Sequence, residues 1–347
     1  MTLRLVAPDA AWLAGRRAHV RLLVEAAANL GGRIELEERF GYLARYHPPA
    51  GPPRPFFGQA LGVNADAAVL IAADKDYTAR LLASEGIATP AGRVVFAPRY
   101  AARMRLQDAT VAAGLAGVEA ALSFAEARGY PVIVKPNEGS LGRGVALCEG
   151  PETLRAELAR GFEADDKLRV EAYLAGAEAR VVVFDGRVRL AYARRPPGVT
   201  GDGQGSVADL ARAEMAGWAR TARGEKIALD DPRVARCLAR RGLALDAVPE
   251  QGRAVRLLDS ANLSLGGALD DLAGRLPPET EALALRAAAA LGLRLAGVDL
   301  IAPDLARADG VHVLEVNGTP GIDYYAQHSP EAWARAGALI ADALATG

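Results

Sequence analysis

Two apolar runs near the C-terminal end of the chain predict neighbouring β-strands. The segments VDLIA (298–302) and VHVLEV (311–316) are rich in β-branched and aliphatic residues, and a polar stretch with proline and glycine separates them. Because side chains alternate across a strand, Glu315 and Asn317 share one face. If the partner strand brings Asp299 opposite that face, three oxygen ligands of the kind that Mg²⁺ prefers come together. The alternative is a capped hairpin with polar residues at its solvent end.

Helical and strand patterns alternate irregularly along the rest of the chain. Apolar periodicity predicts helices over 9–30, between Asp74 and Gly86, and over 100–129, 151–161, 207–222 and 279–292. Strands are predicted around Val94, on both sides of a glycine loop within 131–150, and over 168–174, 181–184 and 188–193. The proline-rich stretch 48–55 predicts a linker. This irregular alternation is typical of the α+β or mixed α/β class.

Composition narrows the classes of partner. The 347 residues, 51% of them hydrophobic, can build two or three lobes around a large core. Acidic and basic residues nearly cancel, 42 against 41, which argues against nonspecific binding to nucleic acid or to a membrane surface. No apolar run approaches the roughly 20 residues of a membrane span, and the N-terminus lacks a signal-peptide core, so we expect a cytoplasmic protein. The two cysteines and four histidines show no spacing typical of a disulfide framework or a zinc site.

A glycine loop follows the strand VIVKP (132–136). Gly139, Gly142 and Gly144 allow backbone N–H groups to approach phosphate oxygens closely, whereas a simple hairpin turn explains only one or two glycines. Lys135 ends the strand and reaches from a half-buried surface, so its ammonium group suits a phosphate. Since neither a P-loop nor a dinucleotide-binding pattern occurs, the segment predicts a phosphate site of another kind.

The order of these motifs resembles that of the ATP-grasp superfamily. Lys135 and the glycine loop are followed by VEAYLAGAE (170–178), Asp299 and EVN (315–317). The resemblance implies an α/β (α+β) fold in which two α/β lobes sandwich ATP, with a small additional N-terminal domain. The expected units are an N-terminal region over 1–90, a central lid subdomain over 91–173, and a C-terminal subdomain with the magnesium site over 174–347.

The same resemblance implies ATP as cofactor together with Mg²⁺, two ions, for which Mn²⁺ can substitute. The metal is expected on Asp299, Glu315 and Asn317. The expected ATP-binding residues are Lys75, Lys135, Gly139, Gly142, Gly144, Glu171, Tyr173, Leu174, Glu178 and Asn262. Among these, the backbone near Glu171 to Leu174 contacts the adenine edge and Glu178 binds the ribose hydroxyls. The alternative for Lys75 is an ordinary exposed helix residue, and the alternative for Asn262 is local turn capping.

A narrower resemblance concerns GDGQGS (201–206) and ANLSLGG (261–267), which are similar to segments in the ATP-grasp domain of cyanophycin synthetases and bifunctional glutathione synthetases. The combined resemblance covers roughly residues 65–325, and no Mur-ligase-like domain follows residue 330. We therefore expect a stand-alone ligase that acts on amino acids or small peptides. A homodimer is the expected assembly. The expected reaction joins a carboxylate to an amine through an acyl phosphate and releases ADP and phosphate. The alternatives are a non-catalytic nucleotide-binding regulatory protein and an ATP-grasp phosphotransferase or carboxylase.

Further residues are expected to act on the reacting groups. Arg195, at the end of the strand VRLAYA, is expected to contact the γ-phosphate in preference to Arg194; the alternative is a solvated arginine pair. Ser140 and Arg143 are expected to cover the reacting carboxylate when the glycine loop closes and excludes water.

The expected substrate-binding residues are Arg180, Arg256, Ser264 and Gly321. Gly321 and Tyr324 are expected to line the pocket for the amine. Arg180 can bind a carboxylate in bidentate fashion. Related D-alanine:D-alanine ligases carry an arginine two residues before the first metal aspartate, and here that position is Gly297. The contact that stabilises the tetrahedral intermediate must therefore come from elsewhere, for example from Arg256 or from loop N–H groups.

Overall fold

Four antiparallel β-sheets organise the part of the chain that the computed structural model describes, which is residues 3–139, 142–219, 228–261, 263 and 266–346. The strands are β1 (Leu5–Val6), β2 (Arg33–Glu37), β3 (Leu43–His47), β4 (Arg54–Phe57), β5 (Gly92–Phe96), β6 (Val132–Pro136), β7 (Ala146–Cys148), β8 (Lys167–Ala172), β9 (Ala177–Phe184), β10 (Arg187–Arg195), β11 (Gly198–Thr200), β12 (Ala254–Arg256), β13 (Ala268–Asp271), β14 (Leu295–Ala302) and β15 (His312–Asn317).

Helices cover the sheets. They are α1 (Ala10–Ala14), α2 (Ala18–Asn29), α3 (Asp66–Ala73), α4 (Lys75–Ser84), α5 (Pro98–Gln107), α6 (Ala109–Ala113), α7 (Val118–Arg128), α8 (Pro151–Ala164), α9 (Val207–Ala219), α10 (Pro232–Ala239), α11 (Pro278–Ala290), α12 (Asp323–Ala326) and α13 (Pro330–Thr346). The N-terminal sheet has the order β1-β2-β3-β4, the second sheet β5-β8-β6-β7, the five-stranded sheet β13-β10-β9-β14-β15, and a β-ribbon joins β11 to β12.

The second sheet is held by the helices α7 and α8. Helix α8 begins with Pro151, whose fixed φ suits the first turn, and Thr153 Oγ1 accepts a hydrogen bond from the Gly150 N–H at 3.2 Å. Its buried side chains Leu154, Leu158 and Phe162 recur every four residues, so they form one stripe that packs on the sheet. This packing gives the second sheet a core of its own.

The five-stranded sheet is buried on both faces for much of its length. Along β9, Val181 and Val183 pack toward α11, while Val182 and Phe184 pack toward α2 and α13. Since side chains alternate, the face with Val182 and Phe184 also carries Arg180 farther along the strand. The apolar end of this face therefore anchors the sheet, and the other end presents polar side chains.

Several sequence predictions are confirmed by these elements. The two C-terminal runs form the antiparallel pair β14 and β15, and Asp299 lies directly opposite Glu315. Helix α4 begins after Asp74, whose carboxylate accepts hydrogen bonds from two backbone N–H groups of the first turn, each at 3.0 Å. The glycine loop connects β6 to β7, as the strand, loop, strand pattern indicates.

Other predictions were wrong in their bounds. The helix predicted over 9–30 is interrupted between α1 and α2, and the one predicted over 100–129 is divided into α5, α6 and α7. Part of the proline-rich segment 48–55 belongs to β4 rather than to a linker. The N-terminal sheet and the β-ribbon were not predicted, because strands of two to five residues carry too short an alternation to stand out. The unit boundaries at residues 90 and 173 remain predictions.

One stretch, Ala109–Arg128, has the length and composition of a membrane span, contrary to the expectation that none does. In the structure it is divided into α6 and α7 by a non-helical segment at 114–117. Ala121, Leu122 and Ala125 pack into the core of the second sheet. Because core helices pass the same test of composition, the stretch is weak support for a membrane location.

A buried carboxylate ties the C-terminal part of the chain to the N-terminal region. Asp323 is 6% exposed and accepts hydrogen bonds from Arg17 Nη2 at 2.8 Å, the His19 backbone N–H at 2.9 Å and Gln59 Nε2 at 2.9 Å. Burial raises the pKa of Asp323, but the hydrogen bonds from His19 and the charge of Arg17 outweigh it and lower that pKa to about 2. The ionised Asp323 therefore stabilises the docking of these two parts.

We expect Asp323→Asn to lower the free energy of unfolding by about 2 kcal/mol at pH 7. Since the folded pKa lies below the ordinary value of 3.8, this stabilisation is complete above about pH 4 and is lost as pH falls through 2. Urea unfolding at pH 7 and pH 3 measures it, with the exposed Asp309→Asn as control. Equal stability of wild type and Asp323→Asn at pH 7, or an undiminished difference at pH 3, would contradict the assignment.

Candidate active site

A chain of four buried charges lies on the second sheet and the start of α4. Lys135 Nζ donates to Glu171 Oε1 at 2.5 Å, and Arg169 Nε donates to Glu171 Oε2 at 3.1 Å. Arg169 Nη1 continues the chain to Asp76 Oδ1 at 2.6 Å. The four residues are between 3% and 8% exposed. Two carboxylates thus compensate two cations, and Lys135 stands at the end of the chain next to the glycine loop.

Lys75 connects the glycine loop to the five-stranded sheet. Its Nζ donates to the Gly139 carbonyl oxygen at 3.0 Å and lies 3.9 Å from Glu315 Oε1. Burial lowers the pKa of Lys75; Glu315 raises it, and the positive charge of Lys135 lowers it further. Lys75 is thus no ordinary exposed helix residue, because its ammonium group lies between the two sheets.

Asn137 fixes the start of α4 beneath the glycine loop. Its backbone carbonyl oxygen accepts from the Lys75 N–H, and its Oδ1 accepts from the Asp76 N–H, each at 3.0 Å. Asn137 is 1% exposed. The backbone after β6 and the first turn of α4 are therefore held together as one unit.

The glycine loop requires its glycines. Gly139, Gly142 and Gly144 have φ values of +130°, +66° and +68°, which side chains with a Cβ rarely adopt. A Cβ at Gly144 would also lie 3.0 Å from Pro136. Arg143 is exposed within this loop. Ser140, which was expected to cover a reacting carboxylate, lies outside the described residues.

A row of charged side chains crosses the five-stranded sheet at the polar end of its face. Arg180 of β9 lies opposite Asp299 of β14, and its Nε and Nη2 donate to the two Asp299 carboxylate oxygens at 2.6 and 2.7 Å. Arg194 of β10 lies 3.1 Å from Asp299 Oδ2 and donates to Glu178 Oε2 at 3.0 Å. Arg180 was expected to bind a substrate carboxylate in bidentate fashion; in the structure its bidentate partner is Asp299, an expected metal ligand.

Burial and charge oppose each other at this row. Burial raises the pKa of Asp299, but Arg180 and Arg194 outweigh it and hold that pKa below its usual value. Burial likewise raises the pKa of Glu178, and here the opposing charge of Arg194 does not cancel the effect. Tyr192 of the next strand lies opposite Arg180, and burial raises the pKa of its phenol. Asp299 is therefore ionised at neutral pH and firmly oriented.

The predicted metal ligands have the chemistry and placement for a hard cation. Asp299 lies opposite Glu315, and Gly297 lies opposite Asn317, so the three oxygen-bearing side chains share one face of the sheet. Among the described residues, no three His, Cys, Asp or Glu side chains cluster as a metal site, and the predicted set has only two carboxylates, with the Asn317 amide as its third oxygen donor. The donor set fits Mg²⁺, which also keeps oxygen ligands from water and phosphate.

The expectation for Arg195 was wrong about which arginine of the pair faces the site. Arg195 projects from the opposite face of β10, pairs with Asp270 at 2.9 Å, and has a side chain that is 64% exposed. Arg194 instead contacts Asp299 and Glu178. Because side chains alternate along a regular strand, only one of the two adjacent arginines can lie on the face of Asp299.

The remaining expected positions lie on other elements. Tyr173 and Leu174 follow β8, and the Tyr173 N–H donates to the Pro131 carbonyl oxygen at 3.4 Å. Gly321 lies beyond β15, where an added Cβ would meet Gln59 Oε1 at 3.3 Å. Arg256 lies in the β-ribbon opposite Gly198, with an exposed side chain. Asn262 and Ser264 lie outside the described residues.

Sequence reasoning missed Asp76, Asn137, Arg169 and Tyr192. One signal was available for Arg169, because a cation within the apolar run LRVEA needs a buried partner. The partner itself, Asp76, is 93 residues away in the sequence, so pattern alone does not identify it.

Comparisons with known proteins agree with this geometry. Residues 98–182 match the model of the carbamoyl-phosphate synthase L chain ATP binding domain, and residues 251–332 match that of the RimK-like ATP-grasp domain. The structure of a bifunctional glutathione synthetase from Pasteurella multocida matches with a TM-score of 0.57 at 23% identity, over 90% of this chain and 41% of that one. The matched models therefore identify ATP-grasp domains in this chain.

Curated relatives of this chain are named as a synthetase and as a bifunctional biosynthetic protein. A cyanophycin synthetase from Nostoc sp. is 33% identical over 263 residues, which are 73% of this chain and 27% of that protein. The glutathione biosynthesis bifunctional protein of Mannheimia succiniciproducens is 31% identical over 195 residues, 54% of this chain and 26% of that protein. The chain thus spans about a quarter of the length of these relatives.

Proposed function

We propose that this ATP-grasp protein is an ATP-dependent carboxylate–amine ligase. It forms an amide bond between amino acids, or between an amino acid and a small peptide, and releases ADP and phosphate. The observation that carries the proposal is the Lys75 ammonium group, which lies 3.0 Å from the Gly139 carbonyl oxygen and 3.9 Å from Glu315. A phosphate chain between the glycine loop and the metal strand would lie beside this cation. The names of the relatives support the same class of reaction.

The nucleotide lies between the second sheet and the five-stranded sheet in this proposal. Lys75, Lys135 and the N–H groups of the glycine loop bind its phosphates. The backbone at Tyr173 and Leu174 contacts the adenine edge, and Glu178 binds the ribose. The raised pKa of Glu178 reflects a carboxylate that burial makes a strong hydrogen-bond acceptor.

Asp299, Glu315 and Asn317 hold Mg²⁺ in this proposal, with two ions expected. A Mg²⁺ ion held by these residues would supply positive charge against the negative charge that builds up during phosphoryl transfer. Arg180 and Arg194 keep Asp299 ionised and oriented for that role. Asp299 Oδ2 contacts both Arg180 and Arg194, whereas Oδ1 accepts a hydrogen bond only from Arg180 Nε among these contacts. Oδ1 therefore keeps a lone pair that can bind a metal ion.

The reaction activates the carboxylate before the amine attacks. A carboxylate oxygen attacks the γ-phosphorus of ATP, the bond to the β,γ-bridging oxygen breaks, and ADP leaves. The amine nitrogen then attacks the acyl carbon of the acyl phosphate; phosphate leaves, and the nitrogen gives up a proton. Arg194, beside Asp299, neutralises charge on the transferring phosphoryl group. Closure of the glycine loop with Ser140 and Arg143 excludes water from the acyl phosphate.

In this proposal Arg180 stabilises the tetrahedral oxyanion, because position 297 holds a glycine where related D-alanine:D-alanine ligases have an arginine. A Cβ at Gly297 would lie 2.7 Å from Pro320 Cβ and 3.7 Å from Arg180 Cδ, so the Pro320 ring leaves no room for a side chain there. The Arg180 side chain passes this position from the neighbouring strand with its Cδ, and its guanidinium lies at Asp299. Arg180 then donates both to Asp299 and toward the reacting carboxyl group, since a guanidinium has five N–H donors.

A screen over pairs of amino acids and dipeptides tests the proposal. We expect phosphate release from ATP only when the right acid and amine are both present, with a product whose mass equals the sum of the two minus water. Lys135→Met is the inactive control, because it removes the phosphate-binding ammonium group. Formation of AMP and pyrophosphate would contradict the proposed mechanism.

A non-catalytic nucleotide-binding protein is the second candidate. It is favoured by one observation, the engagement of Asp299 by Arg180 and Arg194, because a metal ion must compete with two guanidinium groups. Tight binding of ATP without turnover in any pair of the screen is the outcome that would favour it.

A further inference from the structure

Strand β8 carries a buried arginine between two apolar core residues. In LRVEA (168–172), Leu168 and Val170 are core residues, yet Arg169 is only 3% exposed. Burial of an unpaired guanidinium is strongly unfavourable, so such a residue persists only with full compensation. Its compensation is Asp76 of α4 on one side and Glu171 of the same strand on the other.

The arginine is the link between two lysines that face the proposed nucleotide. Through Glu171 it holds Lys135, since the two Glu171 oxygens receive Arg169 Nε and Lys135 Nζ separately. Through Asp76 it holds the first turn of α4, where the preceding residue is Lys75. Arg169 itself is packed behind these groups and has a third contact, to the Pro90 carbonyl oxygen at 3.4 Å.

A fixed spacing between the lysines needs such a link, because like charges repel. Burial is the main cause that lowers the pKa of Lys75, and the positive charge of Lys135 lowers it further. Asn137 gives the same turn of α4 a second attachment, to the backbone below the glycine loop. The two lysines are therefore mounted on one framework before any phosphate arrives, which reduces the ordering cost of binding.

We propose that Arg169, with Asp76, is a positioning residue that sets the orientation of Lys135 and the place of Lys75 for the phosphates of ATP. The inference rests on the proposed function, since it takes ATP as the ligand. A purely structural role would make the pair matter for folding alone. A positioning role predicts that loss of the pair lowers ATP affinity even in a protein that folds normally.

The test is the double variant Asp76→Asn/Arg169→Met. It removes one negative and one positive charge together, so no buried charge is left without a partner and Lys135 keeps Glu171. Replacement of a complete buried pair is often neutral for stability, whereas removal of one partner is costly. Titration calorimetry with ATP and Mg²⁺ gives the affinity, and thermal unfolding gives the stability.

We expect the double variant to melt close to wild type and to bind ATP about tenfold more weakly, because Glu171 has lost one of its two anchors. The KM values for the acid and the amine should stay unchanged. The matched control is Glu119→Gln/Arg155→Met, an exposed pair at 2.8 Å between α7 and α8, which should leave ATP affinity unaltered. A well-folded double variant with wild-type ATP affinity would overturn the inference.

Arg169→Lys gives an independent test should the double variant fold poorly. Lysine keeps the positive charge, but its single ammonium group cannot reproduce the fork that joins Asp76 to Glu171. We expect weaker ATP binding with unchanged KM for the acid and amine, and unchanged ATP affinity would again overturn the inference. Failure of wild type to bind ATP would instead refute the proposed function, and the inference with it.

Discussion

Asp299→Asn is expected to lower kcat for amide formation by about 10² to 10³-fold. The substitution keeps the size of the side chain but removes the charge that faces the metal position. It also leaves Arg180 and Arg194 without the carboxylate that orients them. Steady-state phosphate release at saturating ATP, acid and amine measures the loss.

The matched control is Asp270→Asn on the other face of the sheet. Asp270 is also an aspartate paired with an arginine, but its partner is the exposed Arg195. We expect this variant to keep nearly full activity, because exposed ion pairs contribute little. Asp299→Asn also breaks a buried pair and loses about 3 to 5 kcal/mol, so circular dichroism must first show that it is folded. A folded Asp299→Asn protein with more than a tenth of wild-type activity would contradict the assignment.

Arg194→Ala and Arg195→Ala are expected to differ by about 100-fold in kcat, although the residues are adjacent. Arg194 lies beside Asp299 and Glu178, where it neutralises phosphoryl charge in the proposed reaction. Arg195 projects from the opposite face and pairs with Asp270. We expect Arg194→Ala to lose most of kcat and Arg195→Ala to stay within a few-fold of wild type in the same assay.

The two arginine variants act as controls for each other. Both remove one guanidinium from the same strand, so a general effect of lost charge would appear in both. A larger loss for Arg195→Ala would restore the original sequence-based expectation and would refute the orientation of β10. Equal losses would show that neither residue acts on the phosphoryl group specifically.

The sequence predicts the metal strands well because their signal is local. Asp299 and Glu315 lie on strands that follow each other in the chain, so alternation and a short connection are enough to place them on one face. The cap of α4 by Asp74 and the glycine loop after β6 depend on equally local chemistry. Lys135 was predicted as a phosphate ligand from its place at the end of β6, whereas Lys75 was predicted only from the resemblance to the ATP-grasp superfamily.

The remaining features depend on contacts that a linear pattern does not contain. Arg169 finds Asp76 across 93 residues, and only the fold brings α4 against the second sheet. The face of Arg194 depends on strand register, which shifts between Val188 and Leu190 where β10 pairs with β9. Such an irregularity changes which residue of an adjacent pair faces the site, and nothing in the sequence VRLAYARR marks it.

The most direct test of an acyl-phosphate intermediate follows ¹⁸O from the acid substrate. The acid and amine found in the screen are incubated with ATP after both carboxylate oxygens of the acid have been labelled. We expect each turnover to transfer one ¹⁸O atom to inorganic phosphate, with ADP as the nucleotide product. Unlabelled phosphate, or label in AMP, would contradict an acyl phosphate formed at the site of Lys75, Lys135 and Asp299.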